Sequence, residues 1–292
     1  MLQEITRNGL LLLLSILAGI AAGLAAGGFT GSDGILQPTI AAAVSRPAAL
    51  GAIVAAIIAA IVAGGLMSRA ANAAVGLFVA GWAFFALAWR MEPVERAVLS
   101  GQSPMTMAAE CLVWAAAAGI AWAIILRGSG GLADVEPTPA GDRPHPLWSR
   151  DAGRMALAAI AALPAAWVLA RTPDPGQMIA AATGGGIAAG LAGRLAAPHV
   201  QPYLLVPVTV LFGGAALAFT SWRLGVNLPS AARSSGLPPL GAIHGAAWAA
   251  GSMFGVAMGL GWARSFLHHE DEEAPEAPAR RRVSSVGGDG AA

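Results

Sequence analysis

Long uncharged apolar runs, separated by short polar breaks that carry arginine, set the plan of this chain. The first run follows Arg7, passes through a leucine stretch and an Ala/Gly stretch to Gly28, and meets no charge before Asp33. About 20 apolar residues at about 1.5 Å each cross the roughly 30 Å hydrocarbon core of a bilayer, so this run predicts a transmembrane helix. The same reasoning predicts further spans over Pro47–Met67, Ala71–Trp89, Met105–Leu126, Met155–Ala170, Gln177–Gly193, Tyr203–Trp222 and Leu240–Trp262. The fifth span is short and contains Pro164, which predicts a tilted or kinked helix. The start of the chain also fits a secretory signal cleaved near Ala25 or Ala26, because a charged start, a leucine core and small residues are all present.

Four spans are followed by four more, and the rarer residues suggest that the second set copies the first. Trp89-Arg90, Gly101, Pro104 and Trp114 are echoed in the same order by Trp222-Arg223, Gly236, Pro239 and Trp248. The expected fold is therefore an all-α integral membrane protein of about eight transmembrane helices, built as two parallel four-helix repeats. Its expected divisions are a first repeat over 1–127, a Pro/Gly-rich linker over 128–151, a second repeat over 152–264 and a disordered tail over 265–292. An even number of spans per copy makes the copies enter the membrane in the same direction, related by a twofold axis along its normal. Removal of the first run as a signal would leave the first copy one helix short.

Composition narrows the class further. The chain is 56% hydrophobic and only 11% charged, well below the roughly 25% charged residues of a soluble domain. A net charge of +1 excludes a broad basic surface for nucleic acid. All 17 basic side chains are arginine. Arg7, Arg69, Arg194, Arg264, the linker arginines and the Arg280–Arg282 triplet fall on one side, against six on the other. That bias predicts both termini in the cytoplasm, with the bacterial inner membrane as the setting. Cys111 stands alone, so no intrachain disulfide forms.

Candidate chemistry is sparse. Glu110 and His244 are the ionisable residues inside the predicted spans apart from Cys111, and they occupy matching positions in the two copies. An ionisable group in lipid is costly, and Glu with His is the pairing of proton relays, so the two form a candidate substrate or proton pathway. Solvation of both by the outer headgroups is the competing reading. Glycines at four-residue intervals mark helix-packing faces: Gly19, Gly23 and Gly27; Gly186 and Gly190; Gly251, Gly255 and Gly259. The run His268-His269-Glu270-Asp271 reads as a solvated acidic segment rather than a metal site. No cofactor motif is present, neither a phosphate loop nor a serine-hydrolase elbow.

Three functions fit: a permease or carrier for a small solute with its site between the copies, a structural subunit of a membrane assembly, and a membrane-embedded enzyme. The last asks for a richer constellation than two titratable groups. The expected partners are the lipid bilayer and an unidentified small solute, with no nucleic acid. Reporter fusions test the topology: those at Gly131 and Ala292 should read cytoplasm and one at Gly101 the outside, and a cleaved N-terminus would sink the eight-span plan.

Overall fold

A computed structural model describes residues 2–135, 149–234 and 236–272. Among these residues the structure is helical apart from loops, 3-10 turns and one isolated bridge between Thr30 and Leu36. The helices are α1 (Leu2–Ala25), α2 (Arg46–Ala70), α3 (Ala73–Trp89), α4 (Val94–Leu99), α5 (Pro104–Gly128), α6 (Arg150–Ala158), α7 (Ala162–Leu169), α8 (Pro175–Ala196), α9 (Leu205–Leu224), α10 (Leu228–Arg233) and α11 (Gly245–Glu272). Seven stretches are long and apolar enough to cross a membrane, with α3–α4, α6–α7 and α9–α10 each counted as one. This is a polytopic membrane protein. The 28-residue α11 is not among the seven, because glycine, serine and its polar end dilute its apolar content.

Helix starts follow local chemistry. Ser45, Asn72, Ser103 and Ser149 each accept a backbone N–H from the first turn of the following helix, and Pro47 and Pro104 occupy positions that need no donor. A 3-10 turn over Ala159–Ala161 separates α6 from α7. Pro164 explains it, since its ring removes a donor and crowds the carbonyl four residues back. The short helices α4 and α10, which the apolar pattern does not predict, pack on each other beyond the ends of α3 and α9.

Three expectations change. Residues 129–135, assigned to a disordered linker, are docked: Gln201 exchanges two hydrogen bonds with Leu132, and Asp134 pairs with Arg194 at 3.0 Å. The tail does not begin at 265, because α11 runs on to Glu272 with no helix breaker before Pro275. The last span is not one continuous helix from Leu240: a 3-10 turn over Pro239–Ala242 and an extended Ile243 precede α11. Linker residues 136–148, the Arg280–Arg282 triplet and the side chains of 268–272 lie outside the described residues, and the end of the linker, from Arg150, already belongs to α6.

Large side chains face outward and small ones inward. On α2 five alanines, Ala49, Ala52, Ala56, Ala60 and Ala63, are buried beside Ile53 and Met67, while Val54, Ile58 and Val62 are exposed. Lipid tails are as apolar as leucine, so a span gains nothing by hiding its large aliphatics and gains contact by letting backbones approach through alanine and glycine. Approach is tightest between α8 and α11. Gly251 lies against Ala182 and Thr183, Gly255 against Gly186 and Ile187, and Gly259 against Gly190 and Leu191. The numbers rise together, so the helices run parallel. A Cβ on Gly255 would strike the Thr183 carbonyl oxygen and sit 2.6 Å from the Ile187 nitrogen. Gly19 and Gly23 make only ordinary contacts with α3: a Cβ on Gly19 would lie 3.8 Å from Trp82 and 3.9 Å from Ala86, and one on Gly23 3.8 Å from Ala86. Gly27 takes no part: α1 ends at Ala25, and a Cβ there would meet nothing.

The centre holds α3, α5, α9 and α11. Phe78, Trp82 and Phe85 of α3 gather around Phe254 of α11, with ring centroids 5.1, 5.3 and 6.0 Å away. Gly119 of α5 faces Pro207 of α9, and Gly214 of α9 faces Cys111 of α5. Alanine substitution separates the two kinds of glycine. Gly→Ala in an open helical position stabilises by up to about 1 kcal/mol, so Gly51→Ala, where nothing lies within 4 Å, should raise the melting temperature in detergent slightly. Gly255→Ala should lower it by several degrees, reflecting an overpacking cost of about 1–3 kcal/mol or more; a rise at both positions would refute the tight α8–α11 contact.

Candidate functional site

Glu110 sits in the second turn of α5, half-buried, and faces the loop between α1 and α2. Its Oε1 accepts the Thr39 hydroxyl at 2.6 Å and the Ala41 N–H at 2.8 Å, and its Oε2 accepts the Ile40 N–H at 2.8 Å. These donors open the 3-10 turn Ile40–Ala42, whose N-terminal N–H groups have no partner within the turn. The carboxylate therefore caps a turn some 70 residues away in sequence. Phe29, at the start of that loop, stacks on Trp114 one turn further along α5, with ring centroids 5.9 Å apart. Two oxygens offer about four acceptor positions, and the loop occupies three of them.

His244 is 2% exposed and caps α11. Its Nδ1 accepts the Ala247 N–H at 3.3 Å and its carbonyl accepts the Trp248 N–H at 3.1 Å. An Nδ1 that accepts leaves the proton of a neutral ring on Nε2. The segment feeding into this cap is buried throughout, from Gly241 to His244, and Gly241 presses on the Thr220 side chain of α9. α11 thus begins inside the protein, after a 3-10 turn and an extended residue.

The structure does not join Glu110 to His244 by a hydrogen bond. It brings together their chain neighbours: a Cβ on Gly245 would lie 2.5 Å from Cδ1 of Trp114 and 3.1 Å from the Cys111 sulfur. Five prominent cavities of 320–690 Å³ are lined by other residues and include neither side chain. One of 690 Å³ opens where α2 and α5 end and α3 begins, against the middle of α11, and Ser68, Asn72, Ser129, Asp134 and Arg264 supply its polar lining.

Sequence reasoning missed two polar features. Trp248 and Ser252 follow His244 at four-residue steps along one side of α11; both are fully buried, and the indole Nε1 and the Ser252 oxygen have no hydrogen-bond partner. The four-residue spacing was the available signal, obscured because tryptophan and serine read as ordinary span residues. The second is Arg194. It was expected at the headgroups beside Arg69, yet it is 1% exposed, with Nη2 donating to the Asp134 carboxylate and carbonyl while Nε and Nη1 find no acceptor. Nothing in the linker pattern marks Asp134 as its partner. Among the described residues no group of three His, Cys, Asp or Glu is placed to hold a metal ion. Comparison with protein-family models, curated proteins and solved structures finds no match to the chain.

The loop clamp makes a prediction that separates two substitutions. A hydrogen bond to a charged group contributes about 1.5–3 kcal/mol, so Glu110→Ala, which strands the Thr39 hydroxyl and the Ile40 N–H and leaves the Ala41 N–H only the Thr39 oxygen at 3.2 Å, should lower the melting temperature markedly and speed amide exchange most at Ile40. Glu110→Gln keeps one acceptor oxygen and should fall between. Unchanged exchange in Glu110→Ala would show that the loop holds itself.

Proposed function

We propose that the protein is a carrier for a small solute, with its site where α5, α9 and α11 meet. The observation that supports this best is the interruption of the last span at His244. Helices broken inside a membrane protein expose backbone groups that a continuous helix hides, and such breaks commonly form the binding sites of transporters. Here the break lies beside two buried polar atoms without partners, Trp248 Nε1 and Ser252 Oγ. Each such atom costs about 1–3 kcal/mol when left unsatisfied, a cost that a bound solute would remove.

Packing favours the two-repeat arrangement that this reading uses. Exchange of the two halves swaps the α3–α11 contact with the α9–α5 contact and maps α4–α10 and α5–α11 onto themselves. Trp114 and Trp248 are both buried, whereas Trp89 and Trp222 are both exposed. In this proposal the 690 Å³ cavity is the vestibule on the arginine-rich, cytoplasmic side of a bacterial inner membrane. His244 belongs to the solute site, and Glu110 acts by holding the α1–α2 loop over it. That the loop engages Glu110 so fully favours the second reading, a non-transporting subunit.

Reconstitution into liposomes decides between them. Uptake of a labelled panel of acidic, neutral and basic metabolites should exceed that of protein-free vesicles for one class. Gly245→Leu, which intrudes on Trp114 and Cys111, should abolish it. Folded protein that moves no member of the panel would leave the subunit reading.

A further inference from the structure

We infer that the site binds its solute through an anionic group, a carboxylate or another small oxyanion, held at the buried start of α11. This rests on the carrier reading and names the chemistry of the same site.

The side-chain and helix-end groups assembled there are mostly donors. The first N–H groups of a helix have no acceptor within it. In α11 the Ala247 N–H goes to His244 Nδ1 and the Trp248 N–H to the His244 carbonyl. Those of Gly245 and Ala246 find no acceptor among the described residues. The aligned peptide dipoles place about half a positive charge at this end. His244 adds its Nε2–H, since its Nδ1 already accepts.

The second observation is independent of the helix end. Trp248 is fully buried, and its indole N–H, which can only donate, has no partner. Helical side chains lean toward the N-terminus and cover the turn before their own Cα, so the indole lies over the turn that begins at Gly245. Glycine makes room for it: the ring occupies the space in front of Gly213 of α9, where a Cβ would be 2.5 Å from Cδ2. Ser252, one turn further on, adds a hydroxyl without a partner. Glu110, on the adjoining α5, is engaged by the α1–α2 loop. An anion at the helix start would accept from the Gly245 and Ala246 N–H groups, the His244 ring and the Trp248 indole.

The site is closed in this structure, with Trp114 and Cys111 against Gly245. Admission of a solute therefore requires α5 to withdraw from the start of α11.

Thermal-shift titration of the purified full-length protein tests the inference, with acetate and benzoate, their neutral amides acetamide and benzamide, choline, chloride and inorganic phosphate as probes. Carboxylates should raise the melting temperature and their amides should not. Trp248→Phe keeps an aromatic side chain but removes the indole N–H together with part of the ring, so it should weaken the carboxylate by about tenfold or more, while Ser252→Ala removes a hydroxyl with little change of volume. Ser252→Ala is a second probe should the Trp248 variant misfold. Chloride or phosphate binding with the same sensitivity supports the site and assigns it to free anions. If amides or choline bind instead, and Trp248→Phe weakens them, the anion inference is overturned while the carrier stands. Carboxylate binding indifferent to both variants overturns the location. No shift with any probe, together with no uptake from the metabolite panel, removes the carrier reading itself.

Discussion

Close backbone approach between α8 and α11 is the contact on which the rest of the membrane domain depends. Burial of apolar surface does not drive helices together in lipid, so contact area and close packing must do so. The five glycines of this pair let the two backbones touch over three turns. A parallel pair held this tightly fixes the height of α11, and with it the depth at which His244, Trp248 and Ser252 lie. The first half has a different arrangement, with α2 packed most closely on α3, where Gly64 and Gly76 cross. α2 and α8 thus grip different neighbours, α3 and α11.

The second governing constraint is the cost of polar groups away from water, and the protein meets it in three ways. Glu110 has its charge matched by the hydroxyl and amides of one loop, so no basic residue is needed. Arg194 is paired with Asp134 yet keeps two nitrogens unsatisfied, a geometry that pins residues 132–135 against α8. The third way is incomplete: in the first turns of α11 the Trp248 indole N–H and the Ser252 hydroxyl are buried without partners.

What could be read from the chain follows from the range of the physics. Crossing a bilayer is decided within about 20 consecutive residues, so most spans and the proline distortion of the fifth were legible, as was the glycine spacing of α8 and α11. Partner choice is not local. The same four-residue spacing holds for Gly27, which packs on nothing, and for Gly255, which packs on backbone. The sequence by itself determined a polytopic helical protein with two isolated titratable positions, because hydropathy and charge are summed along the chain. Only the tertiary structure decided that Glu110 caps the turn at Ile40, that Asp134 meets Arg194, and that the last span breaks at His244. Each is set by groups from separate elements meeting where water is excluded, and the free energy that selects such meetings is absent from any single segment.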